Sequence, residues 1–132
     1  IRNPSRVHGS KAFGPKPHNY EKKVNKKVKH LARRSILSQK VLDKKFIIVD
    51  NMVSESPKTR EFAGVLKNLK LDGKKVTVLT GKIEENLYLG SRNIKNVCVV
   101  PAQSASAYDM LDCQILLADE ASIELLNNQL SK

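Results

Sequence analysis

Positive charge is the chemistry that this sequence concentrates. The stretch from Phe13 to Ser35 holds eight Lys or Arg residues and two His residues against one acid, Glu21. Lysine ammonium and arginine guanidinium groups donate hydrogen bonds and accept none, so a dense run of them suits an anionic partner. A solvated basic face is the alternative for an arbitrary charge run. The uneven charge of the whole chain favours a surface that binds a polyanion.

The charge is confined to one end of the chain. Among 132 residues the net charge is +11, but residues 1–45 hold 14 Lys/Arg and 2 Asp/Glu, a balance of +12. Residues 46–132 hold 10 Lys/Arg and 11 Asp/Glu, so their net charge is −1. A near-neutral body with a basic arm indicates a nucleic acid or an anionic membrane as partner. The membrane is disfavoured because no stretch approaches 18 apolar residues and the basic helix lacks aromatic anchors.

An extended segment followed by a helix would position these charges. Pro15 and Pro17 fix their own φ angles and push the residues before them into extended geometry. Asn25 is the predicted N-cap of a helix that follows, because a helical pattern begins after it. One face of this helix is predicted to be apolar and to pack on the domain. It comprises Val28, Leu31, Ala32 and Ser35.

The first turn of that helix breaks a local rule. Lys26 and Lys27 lie where the helix macrodipole favours Asp or Glu by roughly 0.3–1 kcal/mol per charge. A local rule broken without a local gain is typical of a functional site. The two lysines therefore support the interpretation of the helix as a binding surface.

Residues 1–19 are predicted to form an extended basic arm, and residues 20–132 an α/β domain. The arm is rich in Pro, Gly and Ser, so it is either disordered alone or ordered by a partner. Its aromatic side chains, Phe13 and Tyr20, have two interpretations, stacking on bases or packing onto the domain. For Phe13 we favour packing onto the domain, since a Gly-Pro turn follows it directly.

The body predicts a sheet with helices on both of its faces. Short, continuous apolar runs typical of doubly covered parallel strands occupy residues 46–49, 76–79, 97–100 and 115–117. Helical segments separate these runs. Their start signals are Ser56-Pro57, Glu84-Glu85, the capping pair Ser106 and Asp109, and Asp119. The alternation predicts a Rossmann-like α/β fold with a mostly parallel sheet and right-handed crossovers.

The carboxyl ends of the strands, where such sheets usually bind ligands, lack a catalytic pattern. A small phosphate- or nucleotide-binding enzyme is the alternative function, with Asp50, Thr80 and Lys82 as its site. No glycine-rich phosphate loop follows any strand, and no nucleophile elbow is present. The sequence therefore predicts no enzymatic activity, no catalytic residue and no cofactor.

The two cysteines and three histidines do not have metal-ligand spacing. Cys98 and Cys113 each lie in an apolar run, so we expect buried, reduced thiols and no metal site. Reduced thiols fit a cytoplasmic location.

An ordered set of motifs resembles the bacterial family of large-subunit ribosomal protein four. The resemblance begins with Phe13-Gly14-Pro15-Lys16-Pro17 and covers nearly all 132 residues. It continues in order through Lys26-Lys27-Val28, Leu31-Ala32, Ser35, Pro57-Lys58-Thr59, Leu66-Lys67-Asn68-Leu69, Asp72-Gly73-Lys74-Lys75, Glu85-Asn86-Leu87-Tyr88-Leu89, Arg92-Asn93 and Asn96-Val97.

The resemblance implies a Rossmann-like domain without enzymatic activity in the cytoplasmic ribosome. It implies large-subunit ribosomal RNA and neighbouring ribosomal proteins as partners, and a loop beside the peptide exit tunnel. Residues 1–18 would be the returning half of that loop, so we expect a loop tip, a strand and a helix upstream. The predicted RNA-binding residues are Arg2, Arg6, His8, Lys11, Lys16, His18, Tyr20, Lys22, Lys23, Lys26, Lys27, Lys29, His30, Arg33 and Arg34.

Overall fold

Among the residues that the structure describes, five helices and four strands alternate. A computed structural model describes residues 2–54 and 56–131, so Ile1 and Lys132, at the outer ends of the predicted arm and domain, lie outside the described residues. The elements are α1 (Lys26–Leu42), β1 (Phe46–Val49), α2 (Thr59–Asn68), β2 (Val76–Thr80), α3 (Glu85–Ser91), β3 (Val97–Pro101), α4 (Ala107–Leu111), β4 (Ile115–Asp119) and α5 (Glu120–Leu130). This order confirms the predicted alternation.

All four strands pair in parallel, in the order β1-β4-β2-β3. The two central strands explain the unalternated apolar runs, because β2 is buried at every position and β4 at its three middle positions. The edge strands β1 and β3 are only partly covered. The predicted α/β class with a parallel sheet is confirmed.

Helices cover both faces of the sheet. On one face, α2 and α3 contribute Phe62, Leu66 and Leu87 to a core that also contains Val78 of β2 and Leu117 of β4. On the other face, a second core is built from Leu79, Leu116, Met110 and Leu126, against which Leu37 of α1 packs. Adjacent leucines of β4 thus point into different cores, as the twofold periodicity of a strand requires.

Helix α1 packs with a face that differs from the predicted one. Val28 and Leu31, predicted to belong to a structural apolar face, are 53% and 63% exposed. Ile36 and Leu37 instead pack against the second core. At 100° per residue, the packed face is rotated by roughly 140° from the predicted face. The prediction was wrong because it was based on Val28 and Leu31, in the first two turns of α1. The apolar pair that packs on the domain, Ile36 and Leu37, lies further along the helix.

A buried lysine links the second half of α1 to the loop after α4 by a hydrogen bond. Lys40 is buried, and its Nζ donates a hydrogen bond to the backbone carbonyl of Cys113, just after α4. Burial of an ammonium group is unfavourable unless a hydrogen bond compensates for it. Lys40 therefore has a structural role and is unavailable to a partner, although it belongs to the basic part of the chain.

The local start signals of the helices were largely confirmed. Ser106 and Asp109 form the reciprocal capping box of α4, and the Asp119 side chain accepts a hydrogen bond from Ser122 N at the start of α5. The Ser56-Pro57 signal was displaced by two residues, because Lys58 is the N-cap of α2. Helix boundaries shift by this much when no side chain caps the first turn.

The expectation of two buried thiols was half right. Cys113 is buried, and its Sγ donates to the Met110 carbonyl at 3.2 Å, whereas Cys98 is exposed on the edge strand β3. Partial burial, with a smaller contribution from the Asp109 carboxylate, raises the pKa of the Cys98 thiol above its ordinary value. The apolar run around Cys98 was interpreted as a doubly covered strand, but β3 is an edge strand in which Cys98 is exposed and the other residues are only partly buried.

Leu117 and Leu31 provide a matched test of which leucines support the fold. Leu117→Ala should lower the free energy of unfolding by about 2–5 kcal/mol, because Leu117 is fully buried in β4. Leu31→Ala should change it by less than about 0.5 kcal/mol, since the residue is exposed and alanine favours helix. Urea unfolding measures both values. Equal losses in the two variants would contradict the packing of α1.

Deletion of residues 1–19 tests the predicted division of the chain. Residues 2–25 contribute no helix, strand or buried side chain. The shortened protein should therefore keep a cooperative thermal transition close to that of the full chain, measured by circular dichroism. Loss of that transition would show that the arm is part of the folded core.

Candidate nucleic-acid interface

Residues 2–10 form a compact, exposed turn. Arg6 N donates to the Asn3 carbonyl at 3.0 Å, and Gly9 N donates to the Arg6 carbonyl at 2.9 Å. The Ser10 hydroxyl donates a hydrogen bond to the Arg2 carbonyl at 2.9 Å, which joins the two ends of the turn. A Cβ atom at Gly9 would lie 1.9 Å from the Asn3 carbonyl oxygen, so only glycine fits there. The turn directs the side chains of Arg2 and Arg6 into solvent.

The aromatic side chains of the arm do not pack onto the domain. Phe13 is fully exposed, so the prediction that it packs onto the domain was wrong. Tyr20 is 86% exposed, and its ring lies 4.1 Å, centroid to centroid, from the ring of His18. The extended geometry imposed by the two prolines keeps both rings away from the apolar faces of the body. Phe13 belongs to neither of the two cores that the described residues form.

The first half of α1 carries a groove lined by basic residues. Lys26, Lys27, His30 and Arg34 surround a concave surface of about 500 Å³ whose apolar wall is Leu31. These positions lie on one side of the helix, adjacent to the face that packs on the body. The structure therefore brings together four of the predicted binding residues. Leu31, which was not predicted as a site residue, belongs to the same surface.

Arg33 and His30 differ from the other predicted site residues. Both are partly covered, whereas the other thirteen are exposed. Arg33 Nη1 lies 3.5 Å from Gln129 Oε1 of α5, a long hydrogen bond that directs the guanidinium toward the body. His30 Nδ1 is buried without a hydrogen-bond partner among the described residues. Arg33 is therefore shared between the fold and the basic surface.

No predicted site residue has an acidic partner in the part of the chain that the structure describes. The ion pairs found there join Lys45 to Asp43 and Lys75 to Asp112, and both lie outside the basic arm and groove. Like charges on one surface repel each other and destabilise the compact state unless a counter-charge is supplied. The arm and the first half of α1 thus present uncompensated positive charge.

The N-terminus of α1 lacks a side-chain cap. Asn25 has the extended backbone of an N-cap residue, but its side chain makes no capping hydrogen bond, and the first turn contains no acid. The free N–H groups of a helix N-terminus, together with the positive end of the helix dipole, attract phosphate and other anions. Lys26 and Lys27 add two charges at the same end of the helix.

The carboxyl ends of the strands form an unsuitable phosphate site. Gly81 and Lys82 line a groove of about 550 Å³ there, but Glu84, Asp119 and Glu124 line it as well. The Asp119 carboxylate is occupied structurally, since it accepts hydrogen bonds from Gly81 N at 3.0 Å and Ser122 N at 2.6 Å. Three carboxylates against one ammonium would repel an anionic substrate.

Two further observations concern ligands and membranes. Within residues 2–54 and 56–131, no group of three or more His, Cys, Asp or Glu side chains is arranged to hold a metal ion. None of the helices described is long and apolar enough to cross a membrane.

Comparison with known proteins places the chain among ribosomal proteins. The model of the ribosomal protein L4/L1 family matches residues 1–129. The chain is similar to the large ribosomal subunit protein uL4 of Phocaeicola vulgatus, with 40% identity over 131 residues, which are 99% of this chain and 63% of that protein. The protein of the same name from Prosthecochloris aestuarii is 42% identical to the chain over 123 residues. This match covers 93% of this chain and 59% of that protein.

A third relative, the large ribosomal subunit protein uL4 of Chlorobium chlorochromatii, is 42% identical over 129 residues, which are 98% of this chain and 62% of that protein. The chain therefore spans about three fifths of the length of the curated relatives it matches.

Asn25→Asp tests the uncapped helix end, because an acid at this position should have opposite effects on folding and on anion binding. The carboxylate should stabilise α1 by about 0.3–1 kcal/mol through the helix dipole. It should weaken RNA binding, since it neutralises the positive helix end. Asn93→Asp, at an exposed residue after α3, is the control for net charge. Urea unfolding and fluorescence anisotropy would measure both effects. Equal loss of RNA affinity in both variants would contradict a local role.

Proposed function

The chain belongs to the ribosomal protein L4/L1 family, and from this premise we propose that it is a structural, non-enzymatic component of the large ribosomal subunit. In this proposal it binds large-subunit ribosomal RNA through residues 2–25 and the first half of α1. Because residues 2–25 contain no helix or strand, the arm is taken from here on to extend to Asn25. The chain thereby supports assembly of the subunit and translation in the cytoplasm. Neighbouring ribosomal proteins are its other partners, and neither a cofactor nor a membrane takes part.

The observation that carries the proposal is the exposure of unpaired charge on one part of the molecule. Thirteen of the fifteen predicted site residues are exposed, and none has an acidic partner among the described residues. The body, whose net charge is −1 over residues 46–132, needs none of these charges for its two cores. A closely spaced set of cations without internal partners is suited to the phosphates of a nucleic acid.

Phosphate and sugar contacts would provide most of the affinity. Lysine, arginine, backbone N–H groups and a helix N-terminus are the usual phosphate ligands, and they position a protein without reading sequence. Helix α1 has 17 residues and is therefore about 25 Å long. Because its second half packs on the body, its first half can reach RNA while the body supports it. RNA would in turn neutralise the repulsion among the lysines.

The arm would belong to a longer loop that runs toward the peptide exit tunnel. The support is the match of the family model across residues 1–129, which includes the arm, and the exposure of residues 2–25. The relatives are named as large ribosomal subunit proteins. An exposed, extended basic segment is suited to a narrow space between RNA segments, because its side chains can contact phosphates on several sides.

Salt dependence tests the electrostatic basis of the proposal. If six to ten phosphates are neutralised, affinity for a large-subunit RNA fragment should fall by roughly 10³–10⁵ between 50 and 200 mM salt. Replacing Lys26, Lys27, Lys29 and Arg34 with Gln should reduce the salt slope by up to about 0.9 per lost phosphate contact, with little change in stability. Arg33 is retained because it contacts Gln129.

The control removes the same number of charges from the body. Lys58, Lys67, Lys82 and Lys95 are all exposed and far from the basic groove in sequence. Their replacement with Gln lowers the net charge by the same amount, so it measures the general effect of charge. Filter binding at several salt concentrations would compare the two variants. Equal slopes would place the RNA surface elsewhere, and a nearly flat slope in the unmodified protein would refute the proposal.

A further inference from the structure

Two exposed aromatic rings on the arm have no role in the fold. The Phe13 ring is fully exposed, and the Phe13 backbone has φ of 52°. Left-handed backbone is unusual for a bulky residue and is found mainly where function requires it. Exposure of an aromatic ring to water is unfavourable, and here no intramolecular contact offsets it. The structure keeps Phe13 available for a partner.

The second ring is held in place by its neighbours on the arm. Tyr20 stacks at a tilt of 47° against the ring of His18. His18 Nδ1 lies 3.0 Å from the Lys16 carbonyl oxygen, within hydrogen-bond distance. The contacts of this pair lie within the arm, and they orient the Tyr20 ring while leaving most of its surface exposed.

The segment between the two rings is stiff. Pro15 and Pro17 restrict the backbone between Phe13 and Tyr20, so the two rings do not collapse onto each other. Seven residue steps in polyproline-like geometry span about 22 Å. Lys16 lies between the rings, and Lys22 and Lys23 follow Tyr20. Aromatic rings interleaved with cations along an extended backbone are the combination that binds unpaired nucleic-acid strands.

We propose that Phe13 and Tyr20 are stacking platforms for unpaired bases, so that the arm binds a single-stranded or loop segment of RNA. The basic groove of α1 contacts backbone phosphates and tolerates paired RNA. This inference rests on the proposed function and adds the class of RNA structure that the arm selects. Bases inside a duplex are already stacked on each other and offer no free face to a ring, whereas splayed bases in loops do.

The experiment compares Phe13→Leu and Tyr20→Leu with the unmodified full chain. The probes are a single-stranded RNA of about ten nucleotides and a blunt-ended duplex of the same strand with its complement. Each leucine variant should lose about 5- to 150-fold in affinity for the single strand, with little loss for the duplex. The salt slope should stay unchanged, because no phosphate contact is removed.

Matched variants separate stacking from other effects. Tyr108→Leu removes an exposed ring from the body, at α4, and should not change either affinity. Tyr20→Phe and Phe13→Trp keep a ring and should bind the single strand as the unmodified protein does. Since the chain contains no tryptophan, Phe13→Trp also introduces a unique fluorophore. Its fluorescence should be quenched by the single strand and unaffected by the duplex.

Each contrary outcome has a distinct meaning. If the leucine variants bind the single strand as tightly as the unmodified protein does, stacking is refuted while the proposed function stands. The rings would then face an apolar pocket of a neighbouring protein. Equal losses on both probes, or the same loss in Tyr108→Leu, would also refute stacking. If the unmodified protein shows no salt-dependent binding to either probe, both the proposed function and this inference fail.

Discussion

Burial of β2 and β4 on both faces is the constraint on which the rest of this structure depends. In a parallel sheet the central strands must be covered on two sides, and here Leu116 and Leu117 of β4 enter different cores. Helices α2 and α3 cover one face, and α1, α4 and α5 cover the other. Helix α1 contacts the body through Ile36, Leu37 and Lys40. Its second half packs, and its first half projects with the arm.

Under the proposed function, folding and RNA binding use different residues of α1. Ile36, Leu37 and the buried Lys40 hold α1 on the body. Lys26, Lys27 and Arg34 lie beyond that contact and have no acidic partners in the described part of the chain. Mutual repulsion among these charges weakens the first turn of the helix, as does the missing cap at Asn25. A polyanion that neutralises them would remove both effects, so binding and helix stability are coupled.

The errors of the sequence interpretation share one physical origin. Val28 and Leu31 form an apolar stripe at helical spacing, yet the stripe is exposed. Phe13 was expected to pack on the domain, and Cys98 was expected to be buried; both are exposed. In each case the residue type was correctly seen as apolar, but burial requires a neighbour within reach. These residues belong to neither of the two cores formed by the part of the chain that the structure describes.

Local features and charge were determined by the sequence alone. The four strands, the five helices, the capping pair of Ser106 and Asp109 and the confinement of charge to residues 1–45 all follow from short-range pattern and composition. The tertiary structure decided the strand order β1-β4-β2-β3, the face with which α1 packs, and the structural role of Lys40. Periodicity reports which side chains share a face of an element. Whether that face meets a core, solvent or a partner depends on contacts between residues far apart in the chain, which no local pattern contains.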